Sequence, residues 1–318
     1  MRASERRGFG ALTLLATACF APTALLAQTP AQKPARPSKL ERVKDDLYVL
    51  TGEGGNVAVY VTGAGVVLVD DMFYRNHDEI VAQVATVSKG QPIRYVLNTH
   101  QHDDHAGGNA KLLAIAPVIA HDNVRKNLEH IRQPYYEDTP GTPIGLPTIT
   151  FSRELAVNVG GKGIRTYWFG RGHTSGDAVV YFPEQKAIHT GDLYLSFPRP
   201  PDKPPGAGIY VDYAQGGSFL EWTATLDRVL TLDFDTVIPG HGPVATRADL
   251  VKFRANVAAM LARIQGLVKS GASKQQVLTV FEMDYGWKST GCPPSPPTGG
   301  CLQFQQIDRK STRLNSSH

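Results

Sequence analysis

The run Thr99-His100-Gln101-His102-Asp103-Asp104-His105-Ala106-Gly107-Gly108-Asn109 constrains this chain more than any other stretch. It places three imidazoles and two carboxylates within six residues, directly after the apolar run Ile93-Arg94-Tyr95-Val96-Leu97. Alternation of that kind predicts a strand entering a core, and Gly107-Gly108 lets the backbone turn tightly beyond it. The cluster is therefore expected at the C-terminal end of a buried strand. Neutral imidazole nitrogen and carboxylate oxygen are ligands that zinc accepts at about 2.0–2.2 Å. Four such groups packed together without a cation would be badly compensated. The competing reading is a solvated polar loop, and the residues downstream weigh against it.

Those residues recur in three further motifs. His173 lies in Gly170-Arg171-Gly172-His173-Thr174-Ser175-Gly176-Asp177, Asp192 in His189-Thr190-Gly191-Asp192, and His241 in Pro239-Gly240-His241-Gly242-Pro243. Together with H-x-H-x-D-H, this ordered set resembles the metallo-β-lactamase-fold superfamily, over about residues 40 to 265. The resemblance implies an α/β fold, a four-layer αβ/βα sandwich with the metal at one edge of two facing sheets. It also implies two zinc ions, with iron or manganese as alternatives. His100, His102 and His173 would hold one, Asp104, His105 and His241 the other, and Asp192 would bridge. The implied activity is hydrolysis of a carbonyl substrate (lactone, thioester or β-lactam) by a metal-bridging hydroxide. Asp104 is assigned to the catalytic machinery as well as to the metal. No Ser or Cys nucleophile is required, because metal-bound water titrates near neutrality.

Departures from the family pattern narrow the substrate. Members that are true β-lactamases carry Cys or Ser where Asp192 stands, whereas Asp resembles glyoxalase II, the lactonases and other general hydrolases. Leu195 occupies the place of a Lys that holds the substrate carboxylate in many β-lactamases. A dedicated class B β-lactamase is the first alternative. A mononuclear iron persulfide dioxygenase is the second, and it would need Asp104, His105 and His241 to be poor ligands. His102, in place of an acid, argues against the di-iron flavoprotein branch, where carboxylates suit iron.

Both ends of the 318-residue chain are set apart from the fold. Arg2, Arg6 and Arg7 precede an apolar run from Ala11 to Ala27, the layout of a secretory signal peptide, so a periplasmic or secreted location is expected. Pro22 interrupts the run, and stable membrane insertion after cleavage is not expected. Ala16-Thr17-Ala18-Cys19 is lipobox-like, which makes a lipoprotein anchored at Cys19 the minor alternative. Residues 28–39 read as a flexible lead-in and residues 40–307 as the hydrolase domain. Residues 308–318 read, codon for codon, as a translated sequencing adapter and not native sequence.

These exclusions decide the charge argument. The chain carries a net +4; residues 1–27 contribute +2 (Arg2, Arg6, Arg7 against Glu5), and residues 308–318 another +2 (Arg309, Lys310, Arg313 against Asp308). What remains is about neutral, which gives no ground for nucleic acid as a partner. A small-molecule substrate is expected, and the sequence does not address oligomeric state. Cys292 and Cys301 flank a Pro/Gly-rich stretch, and an exported chain would pair them as a disulfide.

Between the ends, strands and helices alternate. Strands are predicted at 43–51, 56–61, 66–69, 93–97, 118–120, 148–151, 164–169, 178–182, 187–189 and 236–238. Helices are predicted at 76–88, 109–115, 123–133, 218–230, 247–269 and 274–282. Asp70 or Asp71 is a candidate to fix a ligand imidazole's tautomer, Thr174 to support the His173 loop, and His189 to be a satisfied core residue. His77, His121 and His130 are expected at the surface. Phe73 and Tyr194 are the candidate walls of an apolar substrate pocket; Tyr74, Tyr135, Tyr136, Phe197, Tyr210 and Tyr213 also fall in loops near the motifs, and the run Phe197 to Gly208 reads as a wall or lid, or as a connector.

Overall fold

The computed structural model describes residues 37–131, 141–197 and 209–285. Within them a first sheet holds β1 (Lys39–Lys44), β2 (Leu47–Thr51), β3 (Val57–Thr62), β4 (Gly65–Val69), β5 (Ile93–Leu97), β6 (Val118–His121) and β7 (Ile149–Phe151), side by side in chain order. A second sheet holds β8 (Glu154–Val159), β9 (Lys162–Tyr167), β10 (Val179–Phe182), β11 (Ala187–His189), β12 (Thr236–Ile238) and β13 (Ala245–Thr246). Seven helices connect and cover them: α1 (His77–Val87), α2 (Asp103–Ala106), α3 (Asn109–Leu112), α4 (Asp122–His130), α5 (Phe219–Val229), α6 (Arg247–Lys269) and α7 (Lys274–Tyr285).

Strand β3 shows why the layers stack. All six of its residues are buried, and its side chains alternate between two cores, as the period of two requires. Ala58 and Tyr60 join the core between the sheets, where Tyr60 meets Phe182 of β10 edge-on at 5.0 Å. Val57, Val59 and Val61 turn outward onto Ile80 and Val84 of α1. On the far side, Val179 and Ile188 of the second sheet pack against Trp222 and Leu226 of α5 and Leu250, Phe253 and Val257 of α6. The result is the expected helix–sheet–sheet–helix sandwich.

Strand direction positions the site. β4, β5 and β6 run parallel, and so do β11 and β12. Their C-terminal ends therefore lie together at one edge, where open α/β folds bind ligands. Asp70 follows β4, His100 follows β5, Asp192 follows β11 and His241 follows β12.

Three expectations need correction. Residues 43–51 form a hairpin, β1 and β2, and not one strand; Asp46 turns the chain with φ 58°. Strand β8 went unpredicted because its outward positions, Glu154 and Asn158, dilute a short apolar pattern. His121 is not a surface residue: it is 4% exposed, and its ring lies stacked on Trp168, 4.9 Å between centroids. It ends β6, where its Nδ1 accepts from Asn123 N–H at the start of α4 and its Nε2 faces Ser152 O at 3.0 Å. His130 is exposed as expected. Residues 1–36, where a signal peptide is expected, residues 198–208, Tyr135, Tyr136, Cys292 and Cys301 lie outside the described residues, among which no helix is long and apolar enough to cross a membrane.

Candidate metal centre

His100, His102, Asp104, His105, His173, Asp192 and His241 all converge and are all buried. His102 precedes the single turn of α2, which carries Asp104 and His105 back toward His100. Their donor atoms form overlapping groups: His100, His102 and His173; Asp104, His105 and His241; and His100, His105 and Asp192, each group within 4.8 Å.

The first group is a trio of imidazoles. His102 Nδ1 lies 3.2 Å from His100 Nε2 and 3.0 Å from His173 Nε2. The outer nitrogen of each ring has a partner: His100 Nδ1 lies 3.1 Å from Thr99 Oγ1, His102 Nε2 2.9 Å from Asp212 Oδ2, and His173 Nδ1 2.7 Å from Tyr210 O. Those partners orient the rings and leave the inner nitrogens to face one another.

The second group combines imidazole and carboxylate. His105 Nε2 lies 3.2 Å from His241 Nε2, and His241 Nε2 lies 3.2 Å from Asp104 Oδ2. His105 is oriented by Asp70 Oδ2, 2.7 Å from its Nδ1. Asp192 stands between the groups. Its Oδ1 lies 3.1 Å from His105 Nε2 and 3.5 Å from His241 Nε2, while its Oδ2 lies 3.5 Å from His173 Nε2.

Two observations show that these donors fit divalent cations. Two nitrogens held at zinc–ligand distance around a tetrahedral centre stand about 3.3 Å apart, close to the inner spacings above. Asp104 Oδ1 and Asp192 Oδ1 are also buried without a hydrogen bond, a costly state for a carboxylate oxygen unless a cation compensates it.

The electrostatics of the protein groups divide the donors: Asp192, Asp104, His173 and His100 are shifted toward the metal-binding form, whereas in His102 and His105 burial is outweighed by neighbouring carboxylates, which raise both. Burial pushes Asp192 up, but His241, His105 and His173 outweigh it and hold the carboxyl well below its usual range. Asp104 is lowered in the same way, burial being overcome by His105 and His241. Burial drives His173 down to about 4 and His100 well below the usual imidazole value, so both are neutral with free lone pairs at neutral pH. Burial also opposes charging of His105, yet Asp192, Asp104 and Asp70 together raise it.

Comparison with known proteins agrees with this geometry. The family model of the metallo-beta-lactamase superfamily matches residues 50–241, more than half of the chain. The chain belongs to the metallo-β-lactamase superfamily. Relatives include a metallo-beta-lactamase type 2 of Elizabethkingia meningoseptica, 28% identical over 50% of this chain and 63% of its own length. Another from Bacillus cereus is 26% identical over 66% of this chain and 76% of its own length. The 2,4-dinitroanisole O-demethylase subunit alpha of Nocardioides sp. (strain JS1661) is 26% identical over 48% of this chain and 41% of its own length. Among solved structures, a metallo-beta-lactamase from Pontibacter korlensis superposes with TM-score 0.57 at 21% identity, covering 70% of this chain and 99% of that one. At that identity the likeness concerns the fold.

Within this superfamily fold, some expected residues keep their place and one does not. Asp70, with φ 64°, is the aspartate that reaches a ring, whereas Asp71 Oδ1 accepts from Gly108 N–H at 2.8 Å. Thr174 donates its N–H and hydroxyl to Asp177 and so closes the His173 loop. His189 is a satisfied core residue, as expected. Phe73 is 7% exposed, beneath the Arg75 guanidinium at 4.3 Å. Tyr194 is not a pocket wall: it belongs to the core under α5 and α6, edge-on to Phe253 at 5.1 Å. It follows the 3-10 turn Gly191–Leu193, where the backbone returns to an extended conformation. Phe197 and Tyr210 lie closer to the donors, their rings 6.0 Å from His241 and 5.4 Å from His173. Sequence reasoning missed Asp212, which no spacing ties to His102, 110 residues earlier. Its signal was only a lone acid in a short apolar and aromatic stretch, Ile209-Tyr210-Val211-Asp212-Tyr213-Ala214.

Proposed function

We propose that this superfamily member is a dinuclear zinc hydrolase of an activated carbonyl substrate, a thioester or lactone. The observation that carries the reading is Asp192, whose two oxygens face the two donor groups separately. In a pair of cations so held, the chemistry supplied is acidification of water to neutral pH and polarisation of a carbonyl. The chain's own residues do the rest. Asp212, Asp70, Thr99 and the Tyr210 carbonyl fix the ring orientations before substrate arrives. Phe197 and Tyr210, half-buried beside His241 and His173, offer apolar surface for the acyl chain and for keeping bulk water from it. Leu195 is buried beside His241 through a bridge between their backbones. At that position it provides no cation for a substrate carboxylate, which favours an uncharged acyl group.

The second reading, a dedicated class B β-lactamase, is favoured by the names of the Elizabethkingia and Bacillus relatives. Convergence of Asp104, His105 and His241 speaks against the mononuclear iron oxygenase. We also infer export, from the basic and apolar character of residues 1–27.

Zinc-loaded protein is to be assayed against thioesters, lactones and a chromogenic cephalosporin, with a chelator control and an Asp104→Ala control. Hydrolysis of a thioester or lactone, abolished in both controls, is the expected result. Cephalosporin turnover with kcat/KM above about 10⁴ M⁻¹s⁻¹, and no thioester or lactone turnover, would replace it with the second reading.

A further inference from the structure

The two donor groups are braced differently. The outer nitrogens of His100, His102 and His173 reach Thr99, Asp212 and the Tyr210 carbonyl. In the second group, the outer nitrogen of His241 has no hydrogen-bond partner among the described residues, so apart from the Phe197 ring stacked beside it at 6.0 Å this ring is placed by its backbone.

That backbone is held by Asn56, which is 4% exposed. Its side-chain Nδ2 donates to Pro239 O and to Gly242 O, both at 2.9 Å, and its N–H donates to Gly240 O at 2.7 Å. Three bonds thus grip the residues on either side of His241. The Asn56 carbonyl accepts from His189 Nε2 at 3.0 Å, and His189 Nδ1 accepts from Gly191 N–H at 3.1 Å. The ring is therefore neutral with its proton on Nε2, and it links Asn56 to the turn bearing Asp192. Next in the chain, Gly55 N–H donates to Asp104 O at 2.8 Å. A Cβ on Gly55 would run into the His105 ring, so the backbone lies flush against it.

We infer that Asn56 is the positioning residue of the second metal subsite: with Gly55 before it and His189 behind it, it sets Asp192 and His241 of one half of the sandwich against Asp104 and His105 of the other. This deepens the dinuclear reading and rests on it. The segment bonds to Asp104, lies against the His105 ring and grips the residues that flank His241. The first subsite is oriented without it.

The test is stepwise metal binding. Full-length wild type, Asn56→Asp and Asn56→Ser are titrated with Zn²⁺ against a chromophoric chelator, then with Co²⁺ for the absorption bands at one and two equivalents. Asp keeps the shape of Asn but sets a carboxylate against two carbonyls; Ser shortens the side chain and loses one donor. The expected result is a first metal bound as in wild type and a second weakened about 10–100-fold, more in Asp than in Ser. Cobalt bands of the second equivalent shift and those of the first do not. Equal weakening of both metals, or no weakening of either, overturns the inference. So does collapse of the fold in both variants, since Asn56 would then hold the fold and not a subsite. If wild type binds only one metal, the dinuclear reading itself fails. If it binds two and hydrolyses none of the substrates, only the substrate reading fails.

Discussion

The two donor groups differ in where their order comes from. The first is three imidazoles, two of them two residues apart in one loop, and each ring is aimed by its own partner. The second mixes Asp104 and His105 with Asp192 and His241 across the seam between the two sheets, and half of it is aimed through backbone. A side-chain partner fixes one ring. A backbone brace fixes a loop and everything on it. The first subsite should therefore fail one ligand at a time, and the second as a unit.

The sharpest way to break this comparison is Asp192→Ala. Asp192 faces both groups, so both metals should be lost and hydrolysis should fall to the level of the chelated protein; metal content and rate measured together check this. Asp70→Ala comes next. Asp70 reaches His105 directly and accepts from Thr99 Oγ1 at 2.7 Å, beside His100. Both affinities should fall, each about 10–100-fold. Asp212→Ala touches His102 alone and should weaken only the first metal by a similar factor; a matching loss of the second would erase the distinction.

Smaller still is Gly55→Ala, whose methyl must push the His105 ring aside. The second affinity should fall about tenfold with the first unchanged, read by the same chelator competition.

A last comparison, read in stability and not in metal affinity, concerns the His173 arm and pH. Burial pushes Asp177 up to about 7 against the bonds from Thr174. An unfolded Asp titrates near about 3.9, so the folded state favours the protonated form. The contribution of this group is then fullest below about pH 4 and is lost as pH rises toward about 7. Urea midpoints measured from about pH 5 to about pH 8 should fall for wild type relative to Asp177→Asn, which cannot titrate. Parallel curves would mean that the Thr174 bonds keep Asp177 charged throughout.

Much of this was legible in the chain. Strands buried on both faces must be apolar at every position, so β3 and β4 announce themselves. A His/Asp cluster placed directly after β5 has few physical uses other than a cation. The helices α1, α5 and α6 carry apolar residues at helical spacing and were found within a residue or two. What failed was whatever depends on a partner distant in sequence. β8 needs β9 beside it before its pattern makes sense. His121 looks like a solvated histidine until Trp168 arrives from the other sheet.

The sequence by itself carried the alternation of strands and helices and the His/Asp cluster after β5, through local periodicity and residue chemistry; the sandwich and the seven candidate donors came from the resemblance of its ordered motifs to a known superfamily. Tertiary structure alone decided which aspartate aims which ring, that Tyr194 belongs to the core and that Asn56 grips the His241 loop. The physical reason is range. Periodicity acts over a few residues, whereas the bonds from Asp212 to His102 and from Asn56 to Pro239 span 110 and 183 residues. They exist only once the two sheets have closed on their shared core.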